Sequence, residues 1–105
     1  MGRAFVGIGS NLGDRAAMLT RAVEAMRALP STEVRAVSSF RNTEAVGFLD
    51  QPDFLNGAVE LATALDPRGL MGALLAIERS LGRDRTGVPQ GGPRAIDLEI
   101  GRAHV

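Results

Sequence analysis

Apolar positions recur along this chain with two different periods, and the switches between them mark out its elements. Residues 4–8 are a short apolar run opening into Gly9-Ser10-Asn11-Leu12-Gly13-Asp14, the pattern of a strand followed by a turn. Asp14 is a capping residue, and Met18, Ala22, Met26 and Leu29 follow at helical spacing until Pro30-Ser31. Residues 33–43, with Val34, Val37 and Phe40, read as a second strand, and residues 44–53 as a loop carrying Gly47 and Pro52. Residues 54–63 form a clearer third strand: Leu55, Val59 and Leu61 share one face, Phe54, Asn56, Ala58 and Glu60 the other. Asp66-Pro67 starts a second helix with a cap and a proline at its first position. Leu70, Leu74, Ile77 and Leu81 make its buried stripe, Gly82 ends it, and Glu78 borders the stripe, four residues after Leu74. Residues 83–93 are a loop rich in glycine and proline, expected to be mobile. Ile96, Leu98 and Ile100 then alternate with Asp97 and Glu99 as a fourth strand.

The order is therefore βαββαβ. The link between the second and third strands leaves no room for a crossover helix, so these two pair antiparallel. Split βαβ units of this kind predict an α+β, ferredoxin-like sandwich, a four-stranded antiparallel sheet with two helices on one face. Residues 1–100 are expected to form one α/β domain, with 101–105 a C-terminal tail that includes His104, the only histidine. With the apolar strand faces under the helices, Phe54, Asn56, Asp97 and Glu99 are left together on the uncovered face.

Composition narrows the function classes. The 105 residues carry 12 basic and 12 acidic side chains, and a net charge of zero argues against a nucleic-acid binder held by bulk electrostatics. No apolar run approaches the roughly 20 residues that cross a bilayer, and no secretory signal is visible. There is no cysteine, which removes disulfide and thiolate chemistry and makes a cytoplasmic location the expectation. Every basic residue is an arginine, and Arg79, Arg83, Arg85 and Arg94 fall within sixteen positions. Guanidinium groups grip phosphate through a bidentate fork, so the cluster suits a phosphate-rich ligand as well as it suits a solvated charged face.

The candidate chemistry centres on the last strand. Alternation puts Asp97 and Glu99 on one face about 6 to 7 Å apart, and neighbouring carboxylates that repel one another are commonly held by a cation. A charged edge that blocks aggregation is the competing account. Gly7-Ile8-Gly9-Ser10-Asn11-Leu12-Gly13 invites a dinucleotide-binding reading, but its spacing is GxGxxxG and no acidic residue ends a parallel second strand. A tight turn in which Asn11 and Gly13 take unusual dihedrals fits better.

Five segments together resemble the 6-hydroxymethyl-7,8-dihydropterin pyrophosphokinases of folate biosynthesis. They are Gly7-Ile8-Gly9-Ser10-Asn11-Leu12-Gly13-Asp14, Ser38-Ser39-Phe40-Arg41-Asn42-Thr43, Gln51-Pro52-Asp53-Phe54-Leu55-Asn56, Ile77-Glu78 with Leu81-Gly82-Arg83-Asp84-Arg85, and Gly92-Pro93-Arg94-Ala95-Ile96-Asp97-Leu98-Glu99-Ile100. They come in the family's order and cover almost the whole chain. The resemblance implies transfer of pyrophosphate from ATP to the pterin hydroxymethyl group with release of AMP. It implies that Asp97 and Glu99 hold two magnesium ions with the ATP phosphates, which suits an ion that prefers carboxylate and phosphate oxygens. Arg83 and Arg94 match phosphate-contacting arginines that act in catalysis, Arg85 is a further ATP contact, and Glu78 helps organise the nucleotide site. Pterin contacts fall on Thr43, Val46, Phe54 and Asn56, and residues 9–14, 44–53 and 83–93 match loops that close over substrate.

The departures are specific. Glu99 stands where the family generally has aspartate, one methylene longer, which moves the oxygens by about 1 Å in front of a geometrically demanding ion. Gly91 stands where many members carry an aromatic residue. The family's C-terminal third, with a histidine on ATP and a second aromatic on the pterin, has no counterpart, and His104 does not replace it. The expectation is a short pyrophosphokinase that self-associates to cover exposed surface. The alternative is a truncated or non-catalytic relative that binds pterin or nucleotide.

Overall fold

A computed structural model describes residues 1–44, 53–82 and 96–101. The central strand is β1 (Gly2–Ser10), whose Ala4, Val6 and Ile8 are buried against the helices while Arg3, Phe5, Gly7 and Gly9 take the opposite face. It lies between β4 (Phe54–Thr63) and β5 (Asp97–Ile100), antiparallel to both. β2 (Thr32–Val37) pairs antiparallel with the far side of β4. The order β2-β4-β1-β5 is that of the ferredoxin-like sandwich.

The expected second strand is interrupted. After β2 the chain leaves the ladder at residues 38–40 and returns as β3 (Arg41–Thr43), also antiparallel to β4, so the sheet has five strands among the described residues. Side chains replace the ladder at the break. The Ser38 N–H donates to the Ala58 carbonyl at 2.9 Å, but the Ala58 N–H donates to Ser38 Oγ at 2.8 Å. The Phe40 ring packs against Gly57, where a Cβ would lie 2.9 Å from Phe40 Cδ1. An alternation of apolar residues cannot register a hydroxyl that takes over a carbonyl's role, so the sequence pattern runs straight through the gap.

Both helices cover the same sheet face. α1 (Arg15–Arg27) begins at Asp14, whose carboxylate accepts from the Ala17 N–H at 3.1 Å, and packs on β1, β2 and β4. Its buried residues are Leu19, Ala22, Val23 and Met26, whereas Met18 and Leu29 sit at the margin. The stripe is broader and turned from the expected one because α1 touches α2 as well as the sheet, and two surfaces need a wider apolar face than one. α2 (Pro67–Ser80) starts at Asp66, which accepts from the Gly69 N–H at 2.6 Å, and buries Leu70, Leu74 and Ile77 beside β5. It stops at Gly82, whose φ of +92° suits a residue without a Cβ. Among the described residues no helix is long and apolar enough to cross a membrane.

The turned stripe predicts unequal costs for two adjacent truncations. Leu19→Ala should cost about 2–5 kcal/mol by denaturant unfolding, as for a fully buried leucine, and Met18→Ala distinctly less. Equal losses would mean that α1 is rotated as the bare periodicity suggested.

Candidate active site

The uncovered sheet face has a floor without side chains. Gly7 and Gly9 are the outward residues at the C-terminal half of β1, so backbone alone separates β4 from β5 there. Register then aligns residues across the sheet. Asn56 is opposite Gly9, and Gly9 is opposite Asp97; one step along, Ala58, Gly7 and Glu99 form a second row. Adjacent strands lie about 4.8 Å apart, so Asn56 and Asp97 stand on two banks roughly 9–10 Å apart across a shallow trough.

The β4 bank is held by a short chain of contacts. Asn56 Nδ2 donates to Thr43 Oγ1, joining β4 to β3. Asn56 Oδ1 lies over Gly9, 2.7 Å from the point a Cβ would occupy, and Phe54 Cδ1 is 3.7 Å from that same point. The glycine is therefore what lets the amide lie flat against the floor. Thr43 pairs with Phe54 and Arg41 with Asn56, so these four residues share the open face. Phe54 and Asn56 are half-buried, while Thr43 and Arg41 are exposed.

The β5 bank carries the acids. Asp97 is half-buried and Glu99 exposed, with buried Leu98 between them pointing to the helices. Beneath them lies Glu78, at 2% exposure, whose Oε2 accepts the Leu98 N–H at 2.7 Å. That N–H points away from β1, where a further strand would otherwise pair, so a helix carboxylate closes the sheet edge at the residue between the two acids. Sequence pattern placed Glu78 at the border of the stripe; the packing takes it fully inside.

The structure thus brings together Thr43, Phe54, Asn56, Asp97 and Glu99 on one face, with Glu78 supporting them from the other. Val46, Arg83, Arg85 and Arg94 lie outside the described residues, as does most of the length of the two loops expected at 44–53 and 83–93. Asn11 does not take the unusual dihedral expected of it: among the described residues only Ser31, Gly13 and Gly82 have positive φ. Instead Asn11 and Ser10 are buried polar residues at the end of β1, beside the site. Sequence reasoning missed the role of Gly9; the odd numbering shared by Phe5, Gly7 and Gly9 was the available signal for it.

Among the described residues no three or more His, Cys, Asp and Glu side chains form a cluster that could hold a metal alone. Two carboxylates on an open face fit magnesium, which takes few protein oxygens and fills its octahedron with water and phosphate. They do not fit a closed structural zinc site, which needs four nitrogen or sulfur ligands.

The chain is a ferredoxin-like sandwich whose glycine-floored open face has a polar-aromatic bank on one side and carboxylates on the other. The sequence profile described as 7,8-dihydro-6-hydroxymethylpterin-pyrophosphokinase (HPPK) matches residues 5–103, and the chain belongs to that family. It is 47% identical over 100 residues to the 2-amino-4-hydroxy-6-hydroxymethyldihydropteridine pyrophosphokinase of Methylorubrum extorquens, covering 95% of this chain and 62% of that protein. It is 42% identical over 97 residues to the Bacillus subtilis protein of the same name, covering 92% of this chain and 57% of that one. The chain therefore spans about three fifths of the length of these relatives.

Two outcomes follow from the geometry. Gly9→Ala should leave the fold intact, because the clash falls on the end of a side chain, but should swing Asn56 off Thr43; a shifted Asn56 side-chain amide resonance with an unchanged melting temperature is the expected result. Glu78→Ala leaves a buried N–H without its acceptor and should cost about 1–3 kcal/mol in thermal denaturation, with faster exchange at the Leu98 amide.

Proposed function

We propose that this chain transfers the pyrophosphoryl group of ATP to the hydroxymethyl group of 6-hydroxymethyl-7,8-dihydropterin. The hydroxymethyl oxygen forms a bond to the β-phosphorus, the bond from that phosphorus to the oxygen bridging it to the α-phosphate breaks, AMP leaves and the hydroxyl proton is released. The observation that carries the reading is the cross-strand row Asn56–Gly9–Asp97, taken with family membership.

On the β4 bank, Phe54 offers its ring face to a flat heterocycle and Asn56 an amide that both donates and accepts, as a pterin edge requires. Thr43 orients that amide by accepting from Nδ2. Val46, three positions further along the sequence, is assigned to the pterin as well. On the β5 bank, Asp97 is the firmer metal ligand and Glu99 the second, with two magnesium ions expected to accompany ATP. When bound, magnesium neutralises charge on the transferring phosphates. Glu78 sets the height of both acids by fixing Leu98 between them. Arg83 and Arg94 are assigned to the transferring phosphates and Arg85 to ATP. The trough between the banks, about two strand spacings wide, suits a hydroxymethyl arm meeting a diphosphate.

The test is AMP release from ATP, magnesium and 6-hydroxymethyl-7,8-dihydropterin. AMP should accumulate in step with the pterin diphosphate, and Asp97→Ala should slow it by about 10²-fold or more. If the unsubstituted chain makes no more AMP than the Asp97→Ala, Glu99→Ala double variant, the enzyme reading fails. Calorimetry then identifies the residual function: heat with pterin but none with magnesium-ATP marks a pterin-binding module.

A further inference from the structure

A polar network on the helix side of the sheet ends beneath the β4 bank. Arg15, the first residue of α1, donates from one terminal nitrogen to Asn42 Oδ1 at 2.7 Å and to the Asp53 carbonyl at 2.9 Å. Asn42 closes the triangle by donating from Nδ2 to Asp53 Oδ2 at 2.9 Å. Its three members come from a helix, from β3 and from the residue preceding β4, so one guanidinium ties three backbone segments together.

Register gives this network its consequence. Asn42 pairs with Leu55, and Thr43 with Phe54. Asn42 therefore faces the helices while its neighbours Arg41 and Thr43 face the open side. β3 has three residues, and β4 is its sheet neighbour. A two-stranded pairing that short is marginal without further support. Thr43 must nevertheless stay put, because its Oγ1 accepts from Asn56 Nδ2 and so fixes which way the amide points.

We infer that Arg15 is a positioning residue for the pterin bank, acting through Asn42 and Asp53 to hold β3 against β4 and thereby fix the Thr43–Asn56 pair; the inference rests on the pterin reading above. The network also spans the base of the connection from β3 to β4, since Asn42 and Asp53 stand at its two ends. Arg15 does not reach the β5 bank through any of these contacts, so its influence is confined to one of the two substrates.

The experiment measures pterin and magnesium-ATP affinities separately by calorimetry for the unsubstituted chain, Arg15→Ala, Arg15→Lys and Asn42→Ala. Arg15→Ala should weaken pterin binding about tenfold and leave ATP affinity within about twofold, a selectivity that general destabilisation does not produce. Arg15→Lys should recover part of the loss, because an ammonium keeps the charge but not the fork. Asn42→Ala should resemble Arg15→Ala, and the double variant should be little worse than either single one. Backbone amide exchange should accelerate at Arg41–Thr43 in Arg15→Ala while Thr32–Val37 stays unchanged. Equal pterin affinity in the unsubstituted chain and Arg15→Ala overturns the assignment to Arg15 and leaves the substrate reading standing, as does a parallel loss for both ligands. Absence of pterin binding by the unsubstituted chain overturns the substrate reading and the site role of Arg15 with it.

Discussion

The central strand has to serve two surfaces that want opposite things. On the helix side β1 must supply bulk, and Ala4, Val6 and Ile8 do so beneath α1 and α2. On the other side, at its C-terminal half, it must supply almost nothing, and Gly7 and Gly9 leave bare backbone between two strands that carry functional groups. A side chain at Gly9 would displace Asn56, and a shift of β1 by one residue would put its apolar row into the trough. Glycine in a strand normally weakens it, so the cost of this floor is offset by pairing on both sides and by the core under the same strand.

Each bank of the trough is also held from the helix face. Glu78 of α2 reaches the backbone between Asp97 and Glu99, and Arg15 of α1 reaches the side chain beside Thr43. In both cases period-2 geometry carries the constraint through the sheet: fixing one residue from below sets the position of its neighbours above. In this division α2 supports the acidic bank and α1 the polar-aromatic one.

Much of this was legible in the chain itself. The strand alternations around residues 54–63 and 96–100, the capped starts at Asp14 and Asp66 and the glycine stop at Gly82 specified the sandwich, because period and capping are local properties. They also specified which residues share the open face. The break at residues 38–40 was not legible, since it depends on Ser38 meeting Ala58 and Phe40 meeting Gly57 from a distant strand. Of the α1 stripe, Ala22 and Met26 were legible but Leu19 and Val23 were not, because a second helix widens the face it must bury.

The sequence by itself determined that two acids would lie together on one strand, with a phenylalanine and an asparagine on another, and family resemblance supplied a role for each. Only the tertiary structure decided that these strands flank the same glycine floor in the same register, that Glu78 is buried against Leu98, and that Arg15 braces Asn42 and Asp53. The physical reason is common to all three. Periodicity reports which way a side chain points from its own backbone, whereas register, burial of a charge and a long-range hydrogen bond depend on which other backbone arrives beside it.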